Sequence, residues 1–288
     1  MILRDDFCVF ILSHGRADRV YTYKTVRNGG YTGPIYIVVD NEDDQVDEYI
    51  RRYGEEYVII FDKIARAERT DTPDLNQDRR TIIYARNECF DIAERLGYRY
   101  FLELDDDYTE FMWRYIEGWK MLMRRAKKLD DIFEFMLRFL DDSGALTVAF
   151  AQGGDMIGGA QASNFRKGLL RKAMNTFFCD TQKRFEFVGR INEDVNTYTS
   201  LSNKGKLFFT YTPFMITQKT TQTNAGGMTD VYLDKGTYTK SFYSVIYSPQ
   251  AVKIGEMGAS HKRIHHFINW DKCAPMILNE KWKKRNSA

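Results

Sequence analysis

The most informative segment of the chain is "YARNECFDIAERLGYRYFLELDDDY", residues 84–108. Its first half carries apolar residues at helical spacing, and Gly97 stands where a helix C-cap needs a residue in the left-handed conformation. Its second half is an aromatic and aliphatic run typical of a buried strand. Three consecutive aspartates, Asp105, Asp106 and Asp107, end that run. The stretch therefore predicts a helix, then a strand, then an acidic edge.

Three similar apolar runs precede this stretch, at Phe7–Ser13, Ile35–Asp40 and Tyr57–Asp62. Polar, helix-compatible segments at residues 18–28 and 43–53 separate them. This alternation predicts an α/β fold with a mostly parallel central sheet flanked by helices. Ligands bind at the carboxyl ends of the strands in such sheets, so the three aspartates lie where a ligand is expected.

The second half of the chain is less regular. The Met-, Trp- and Arg-rich stretch from Thr109 to Asp141 is predicted to be helical, and a glycine-rich loop follows a strand near residue 150. Further short strands are predicted at residues 176–178, 185–188 and 206–217. No repeat or linker is visible, so we expect one domain over residues 1–288. It would comprise a nucleotide-binding half, 1–108, and an irregular, β-containing acceptor-binding half, 109–288.

Composition narrows the class of protein. The 288 residues are 43% hydrophobic and 28% charged with a net charge of +2, which is ordinary for a globular protein and too low for a polycation. No run approaches the roughly 18 apolar residues of a membrane span. The four cysteines are scattered without metal-site spacing, which suits a reducing compartment. We therefore expect a cytoplasmic protein with no membrane contact and no evident protein partner.

The acidic triplet has two interpretations. Carboxylates at Asp105 and Asp107, one residue apart after a strand, can place two oxygens on one Mg²⁺ or Mn²⁺ that also binds a substrate phosphate. Alternatively, the acids form only a turn and the N-cap of the helix predicted from Thr109. The position at the end of a buried strand favours the metal.

The opening stretch resembles the GT-A nucleotide-sugar glycosyltransferases, in which an Arg-Asn pair on a helix precedes a strand ending in Asp-x-Asp. Here that pair is Arg86 and Asn87. "ILSHGRADRV", from Ile11, is similar to the family's first strand and nucleotide loop. "VVD", ending at Asp40, resembles its second strand, and "RINEDVNTY" resembles the motif that supplies the catalytic base.

This resemblance implies a role for each matching residue. The cation, Mn²⁺ or Mg²⁺, would bind Asp107 and Asp105, and in many such enzymes a late histidine, here His265 or His266, completes the site. The resemblance implies a UDP-sugar as donor, with Asp106 of the triplet expected to be a spacer that points away. Asp194 or Glu193 would be the general base, and a single base implies inversion of the anomeric centre. The donor-binding residues would be Ser13, Arg16, Asp40, Arg86, Asp105 and Asp106.

The C-terminal block "HHFINW…APMIL…KW" is similar to the TET-associated glycosyltransferases, phage and protist enzymes that glycosylate hydroxymethylated pyrimidines in DNA. This implies a 5-hydroxymethylpyrimidine in DNA as acceptor, phage DNA hypermodification as setting and the infected host's cytoplasm as location. Three basic clusters would suit a DNA backbone, although solvated helix faces and a frayed tail are the favoured explanation for any single cluster. They are Lys120/Arg124/Arg125/Lys127/Lys128, Arg166/Lys167/Arg171/Lys172 and Lys281/Lys283/Lys284/Arg285.

Other functions stay open at this point. The same fold would serve a glycosyltransferase for glycan, lipid or protein acceptors. A Mg²⁺-dependent nucleotidyltransferase normally has a glycine-rich loop after its first strand, whereas Ser13–Arg19 offers one glycine. A non-catalytic nucleic-acid-binding module would leave the acids unexplained. His14 is a nucleotide neighbour or a simple loop residue, and residues 219–230 are a closing loop or a plain hairpin.

Overall fold

The computed structural model describes residues 3–72, 79–156, 159–162, 166–218, 239–257 and 262–275. The α-helices that lie wholly within these residues are α1 (Tyr21–Asn28), α2 (Val46–Tyr53), α3 (Lys63–Ala67), α4 (Ile83–Leu96), α5 (Leu129–Ser143) and α6 (Glu193–Ser202). The strands are β1 (Phe7–Leu12), β2 (Ile35–Asp40), β3 (Val58–Phe61), β4 (Tyr100–Asp105), β5 (Tyr108–Glu117), β6 (Lys120–Arg125), β7 (Thr147–Ala151), β8 (Leu169–Leu170), β9 (Thr176–Asp180), β10 (Phe208–Gln218), β11 (Val252–Met257) and β12 (Arg263–Ile268).

One large sheet forms the centre, in the order β3-β2-β1-β4-β9-β7-β10-β5-β6, with β8 beside β10. The first four strands in this order pair in parallel, and Leu12 at the end of β1 lies beside Asp105 at the end of β4. Beyond β4 most pairs are antiparallel, and only β7–β10 is parallel. The predicted α/β class with a central sheet is confirmed, and the parallel arrangement covers the predicted nucleotide-binding half.

The core lies on both faces of this sheet. Alternate β1 residues separate into two clusters, with Phe7, Val9 and Ile11 on the α5 side and Phe10 on the α4 side. Each of these four side chains is fully buried. A continuous apolar strand is the pattern that a sheet covered on both faces requires. Helix α4 ends as predicted, with Gly97 in the left-handed conformation at φ 80°.

The helix predicted from Thr109 is wrong, and so is its use of the acids as an N-cap. The chain there forms the hairpin β5–β6, and helix begins only at Leu129. The buried residues of β5 include Tyr108, Phe111 and Arg114, and this spacing of three is also typical of the buried face of a helix. The spacing arises because the register with β10 shifts beside Thr109 and because both faces of early β5 are covered.

The strand predicted at residues 185–188 is also wrong. Phe185 and Phe187 are buried as a strand pattern would have them, but no neighbouring strand pairs with this segment among the described residues. Instead the Asn87 side chain donates to the Phe187 carbonyl at 3.0 Å and accepts from the Phe187 N–H at 2.7 Å. A side chain from α4 thus satisfies backbone groups that a strand would otherwise pair. Within the described chain, no helix has the length and apolar composition needed to cross a bilayer.

Candidate active site

All eleven residues singled out from the sequence line one cavity of about 1260 Å³, called the cleft below. They reach it from the carboxyl ends of β1, β2 and β4, from helices α4 and α6, and from strand β12. They are Ser13, Arg16, Asp40, Arg86, Asp105, Asp106, Asp107, Glu193, Asp194, His265 and His266. Positions separated by up to 253 residues in sequence are therefore brought together, as the rule on parallel strand ends predicts.

Arg86 joins the two acidic regions of the cleft. Its side chain is 2% exposed, and its Nη2 lies 2.9 Å from Asp105 Oδ1. Its Nε lies 3.1 Å from Glu193 Oε1 and its Nη1 3.5 Å from Glu103 Oε2. One guanidinium thus connects the end of β4 to the start of α6. Direct contact between Arg86 and a nucleotide stays a prediction.

The expectation that Asp106 is a spacer is wrong. Its side chain is 5% exposed, accepting a hydrogen bond from Ser13 Oγ at 2.6 Å and pairing with Arg16 Nη1 at 3.0 Å. Tyr49 adds to the same network, since its hydroxyl lies 2.7 Å from Ser13 Oγ and accepts from the Arg16 N–H at 2.9 Å. Asp106 therefore fixes the loop after β1.

Asp107 is the acid of the triplet whose charge the protein leaves unbalanced. No cationic side chain of the described ranges lies within ion-pair distance of it. Burial and the charges of Asp105 and Asp106 raise the pKa of Asp107 to about 7. Thr22 of α1 fixes the turn by donating to the Asp105 carbonyl at 2.6 Å and accepting from the Tyr108 N–H at 2.9 Å. A cation would relieve the repulsion held in this turn.

Two histidines on one side of the cleft have ring nitrogens that could bind a metal. The His265 and His266 rings stack with centroids 4.4 Å apart. Burial, then the charges of His265 and nearby lysines, lowers the pKa of His266 to about 4, so its ring is neutral at pH 7. The Nδ1 of His266 is buried and, among the described residues, has no hydrogen-bond partner. His261 lies outside the described residues.

A neutral imidazole with a free nitrogen and an unpaired carboxylate in one cleft fit a divalent cation. In the part of the chain that the structure describes, no three His, Cys, Asp or Glu side chains already form a group able to hold a metal. A cation there would therefore need oxygens from a substrate, which is usual for Mg²⁺ and Mn²⁺ with phosphates.

The two candidate bases differ in their partners. Glu193 begins α6 and is engaged by Arg86, and burial together with the charge of Asp194 raises the pKa of Glu193 to about 7. Asp194 is 8% exposed, and its Oδ1 accepts from the Val195 N–H at 2.7 Å. Burial raises the pKa of Asp194 as well. Since no described side chain donates to Asp194, one of its oxygens stays available for a substrate proton.

Sequence reasoning missed Lys63, which lies directly after the third predicted strand. Its Nζ lies 3.2 Å from Asp40 Oδ1, and His14 Nδ1 lies 2.8 Å from Asp40 Oδ2. Burial acts to raise the pKa of Asp40, but the His14 hydrogen bond and the Lys63 charge outweigh it and lower that pKa. The hydrogen bond to Asp40 raises the pKa of His14. The rule that ligands bind at the carboxyl ends of parallel strands, applied to the third predicted strand, would have found Lys63.

The family model for TET-associated glycosyltransferases matches residues 7–227, which is most of the chain and spans β1 to β10. The chain belongs to this family. It is therefore a glycosyltransferase, as the sequence predicted. The match includes nine of the eleven site residues. His265 and His266 lie beyond it, in the C-terminal block that first suggested the TET-associated family.

Two further comparisons add little to this assignment. No curated protein matches the chain. Among solved structures, one match is a candidate nucleotide-diphospho-sugar transferase from Desulfovibrio desulfuricans, 8% identical, covering 67% of this TET-associated glycosyltransferase and 68% of that chain. Its TM-score is 0.35, too low to establish a shared fold.

The buried Glu103 gives a pH-dependent test of the acidic network. Burial raises its pKa from an ordinary 4.5 to about 8, and Glu103 Oε1 lacks a described hydrogen-bond partner. Between these pH values the folded protein holds a proton that the unfolded chain has released, so stability falls as pH rises. The unfolding free energy of Glu103→Gln should therefore fall less over this pH interval than that of the wild type, by on the order of 1 kcal/mol or more. Urea unfolding of both proteins at pH values below, inside and above the interval measures this difference. The prediction is wrong if the unfolding free energy has the same pH dependence in both proteins.

Proposed function

We propose that this enzyme transfers a sugar from a UDP-sugar to the hydroxyl of a 5-hydroxymethylpyrimidine in DNA, with inversion and with Mn²⁺ or Mg²⁺. The observation that carries the proposal is that one cleft contains two different acids. Asp107 has no described cationic partner, and Asp194 has a carboxylate oxygen that no described side chain occupies. The nucleotide would occupy the half built by residues 1–108, and the acceptor the half built by residues 109–288.

On the donor side, the ends of β1 and β2 and the start of α3 bring His14, Asp40 and Lys63 together in the cleft, where the nucleotide would bind. His14 and Lys63 hold the Asp40 carboxylate, which would orient ribose or base hydroxyl and N–H groups as an acceptor. Asp105 and Asp107, with His265 or His266, would hold the divalent cation. When bound, that cation neutralises negative charge developing on the leaving diphosphate.

On the acceptor side, Asp194 is proposed to take the proton. The acceptor oxygen bonds to the anomeric carbon while the bond from that carbon to the diphosphate oxygen breaks, and the hydroxyl proton passes to Asp194. A base whose pKa lies above the usual carboxylate range suits this transfer. A single displacement of this kind inverts the anomeric centre. Arg86 is a positioning residue. It fixes Asp105 and Glu193 through ion pairs and takes no part in the proton transfer.

A polar and aromatic wall beside Asp194 supports a nucleic-acid acceptor. Tyr198 lies one helical turn after Asp194, and the Trp270 ring stacks on it at 5.8 Å and 22°. The Arg171 guanidinium lies 5.6 Å from the centroid of the Trp270 ring. Lys172 also lines the cleft and pairs with Asp155 at 2.5 Å. Aromatic rings and cations together favour a base with its phosphates over a neutral glycan.

The test offers the purified enzyme a panel of nucleotide sugars with DNA containing 5-hydroxymethylcytosine, 5-hydroxymethyluracil or neither. Mass spectrometry of the digested nucleosides should show a hexose only on hydroxymethylated bases, and EDTA should abolish the product until Mn²⁺ or Mg²⁺ is restored. Transfer to a glycan, lipid or protein but not to DNA would make the acceptor assignment wrong. Full activity in EDTA would make the metal assignment wrong.

A further inference from the structure

The β5–β6 hairpin ends the large sheet and carries an unusually exposed aromatic tip. Glu117 pairs with Lys120, so Gly118 and Trp119 form a two-residue turn. Gly118 has φ 60°, in the left-handed region that such turns require. The Trp119 side chain is 88% exposed. A tryptophan at this exposure contributes little to the core, and large exposed apolar groups commonly mark contact surfaces.

The register divides the hairpin into two faces. Met112 and Met121 pack against Ala151 and Met215, so their face lies against the protein. Trp113 pairs across the strands with Arg124, Tyr115 with Leu122 and Glu117 with Lys120, and cross-strand partners share a face. We call Trp113, Tyr115, Glu117, Lys120, Leu122 and Arg124 the outer face. On it, the exposed rings of Trp113 and Tyr115 lie along β5, beside a strand that carries the exposed cations Lys120 and Arg124.

The hairpin and the residues after it carry a local excess of positive charge, although the net charge of the whole chain is small. Among residues 113–128 the exposed acid is Glu117, against five exposed cations: Lys120, Arg124, Arg125, Lys127 and Lys128. Arg125 pairs with Glu110. Lys120 and Arg124 form no ion pair with any residue that the structure describes. The net charge of the entire chain is only +2, so this surface is a local cationic patch complementary to a phosphate backbone.

We propose that the outer face and Trp119 dock on the DNA duplex that flanks the target base. Lys120 and Arg124 contact phosphates, and Trp119 packs against the sugar-base surface. The inference rests on the DNA acceptor of the proposed function. Strand β5 begins directly after Asp107 and has ten residues, a reach of about 30 Å at ~3.3 Å per residue. The contact therefore falls within roughly nine base pairs of the cleft.

The test measures binding of a fluorescent, unmodified duplex of about 30 base pairs by anisotropy over a salt series. Lys120→Gln/Arg124→Gln should weaken binding about tenfold and reduce the slope of log Kd against log salt by about 2. Trp119→Ala should weaken binding severalfold without changing that slope. The matched control is Lys204→Gln/Lys206→Gln, two exposed lysines on the loop before β10, which should bind like wild type.

Transfer assays separate this inference from the proposed function. The hairpin variants should raise KM for duplex DNA and leave kcat, KM for the donor and transfer to a free hydroxymethylated nucleoside unchanged. If wild type glycosylates DNA and the hairpin variants bind duplex normally, the inference is overturned and the function stands. If no DNA is glycosylated but duplex binding still depends on the hairpin, the acceptor assignment falls together with docking beside a target base, and only duplex binding by the hairpin stands.

Three other results would also overturn the inference. An equal loss of duplex affinity in the Lys204→Gln/Lys206→Gln control would indicate that any two surface cations contribute alike, through nonspecific electrostatic attraction. Hairpin-dependent binding to phosphatidylserine vesicles without binding to DNA would indicate a membrane partner. Lysines also protect edge strands from pairing with another copy. Self-association of the double variant in size-exclusion chromatography, with unchanged DNA binding, would assign Lys120 and Arg124 to that role instead.

Discussion

Asp194→Asn is expected to lower kcat for sugar transfer by about 100-fold or more while leaving the donor Kd unchanged. The substitution keeps the size and the hydrogen bond from the Val195 N–H but removes the proton acceptor. General-base catalysis typically contributes 10²–10⁴-fold, which sets the expected loss. Single-turnover transfer with labelled donor measures kcat, and titration calorimetry with UDP measures binding.

Glu193→Gln is the matched comparison for this prediction. Glu193 already accepts from Arg86 Nε at 3.1 Å, so its loss should weaken the Arg86 network and reduce kcat less than Asp194→Asn does. If Glu193→Gln abolishes transfer and Asp194→Asn retains it, the base is Glu193. If both variants stay active, the base belongs elsewhere in the cleft.

Arg86→Met is expected to cost about 3–5 kcal/mol of unfolding free energy, or to prevent folding. Methionine keeps the chain length, but it leaves the carboxylates of Glu103, Asp105 and Glu193 without their shared cation. Arg51→Met is the control, because that arginine is 69% exposed and water screens its pair with Glu48, so its loss should change stability far less than Arg86→Met does. Urea denaturation at pH 7 gives both values.

A double variant keeps this prediction testable if Arg86→Met folds poorly. Without Arg86 the fully buried Glu103 has to stay protonated at pH 7, at a free-energy cost that glutamine does not have, so Arg86→Met/Glu103→Gln should recover part of the lost stability. If the changes in unfolding free energy of the two single variants add up to that of the double variant, Arg86 and Glu103 do not interact. That result would contradict the ion-pair network around Arg86.

Much of the fold of residues 1–108 follows from sequence alone. Apolar runs such as Phe7–Leu12 are long, uninterrupted and bounded by polar segments, so their burial on both faces needs no tertiary information. The position of Asp40 and Asp105 then follows from the rule that ligand sites lie at carboxyl strand ends. The resemblance to the family, which implies a late histidine at the metal site, singled out His265 and His266, and the structure brings them to the same cleft.

What the sequence could not predict depends on partners far away in the chain. The segment 185–188 has a strand pattern, but Asn87 takes its backbone bonds. Early β5 has helical spacing because β10 shifts register beside it and other elements cover both its faces. Asp106 resembles a spacer until Ser13 and Arg16, about 90 residues earlier, are placed on it. In each case a long-range contact overrides the local pattern.

The adjacent residues Arg86 and Asn87 have a consequence for how the enzyme starts its reaction. The first is held by three carboxylates, and the second by both backbone groups of Phe187. Helix α4 therefore cannot rotate or slide without breaking all of these bonds, and the acidic turn and the start of α6 keep a set spacing. Such preorganisation means that little reorganisation energy is needed when the substrates arrive, and more of their binding energy can act on the transition state.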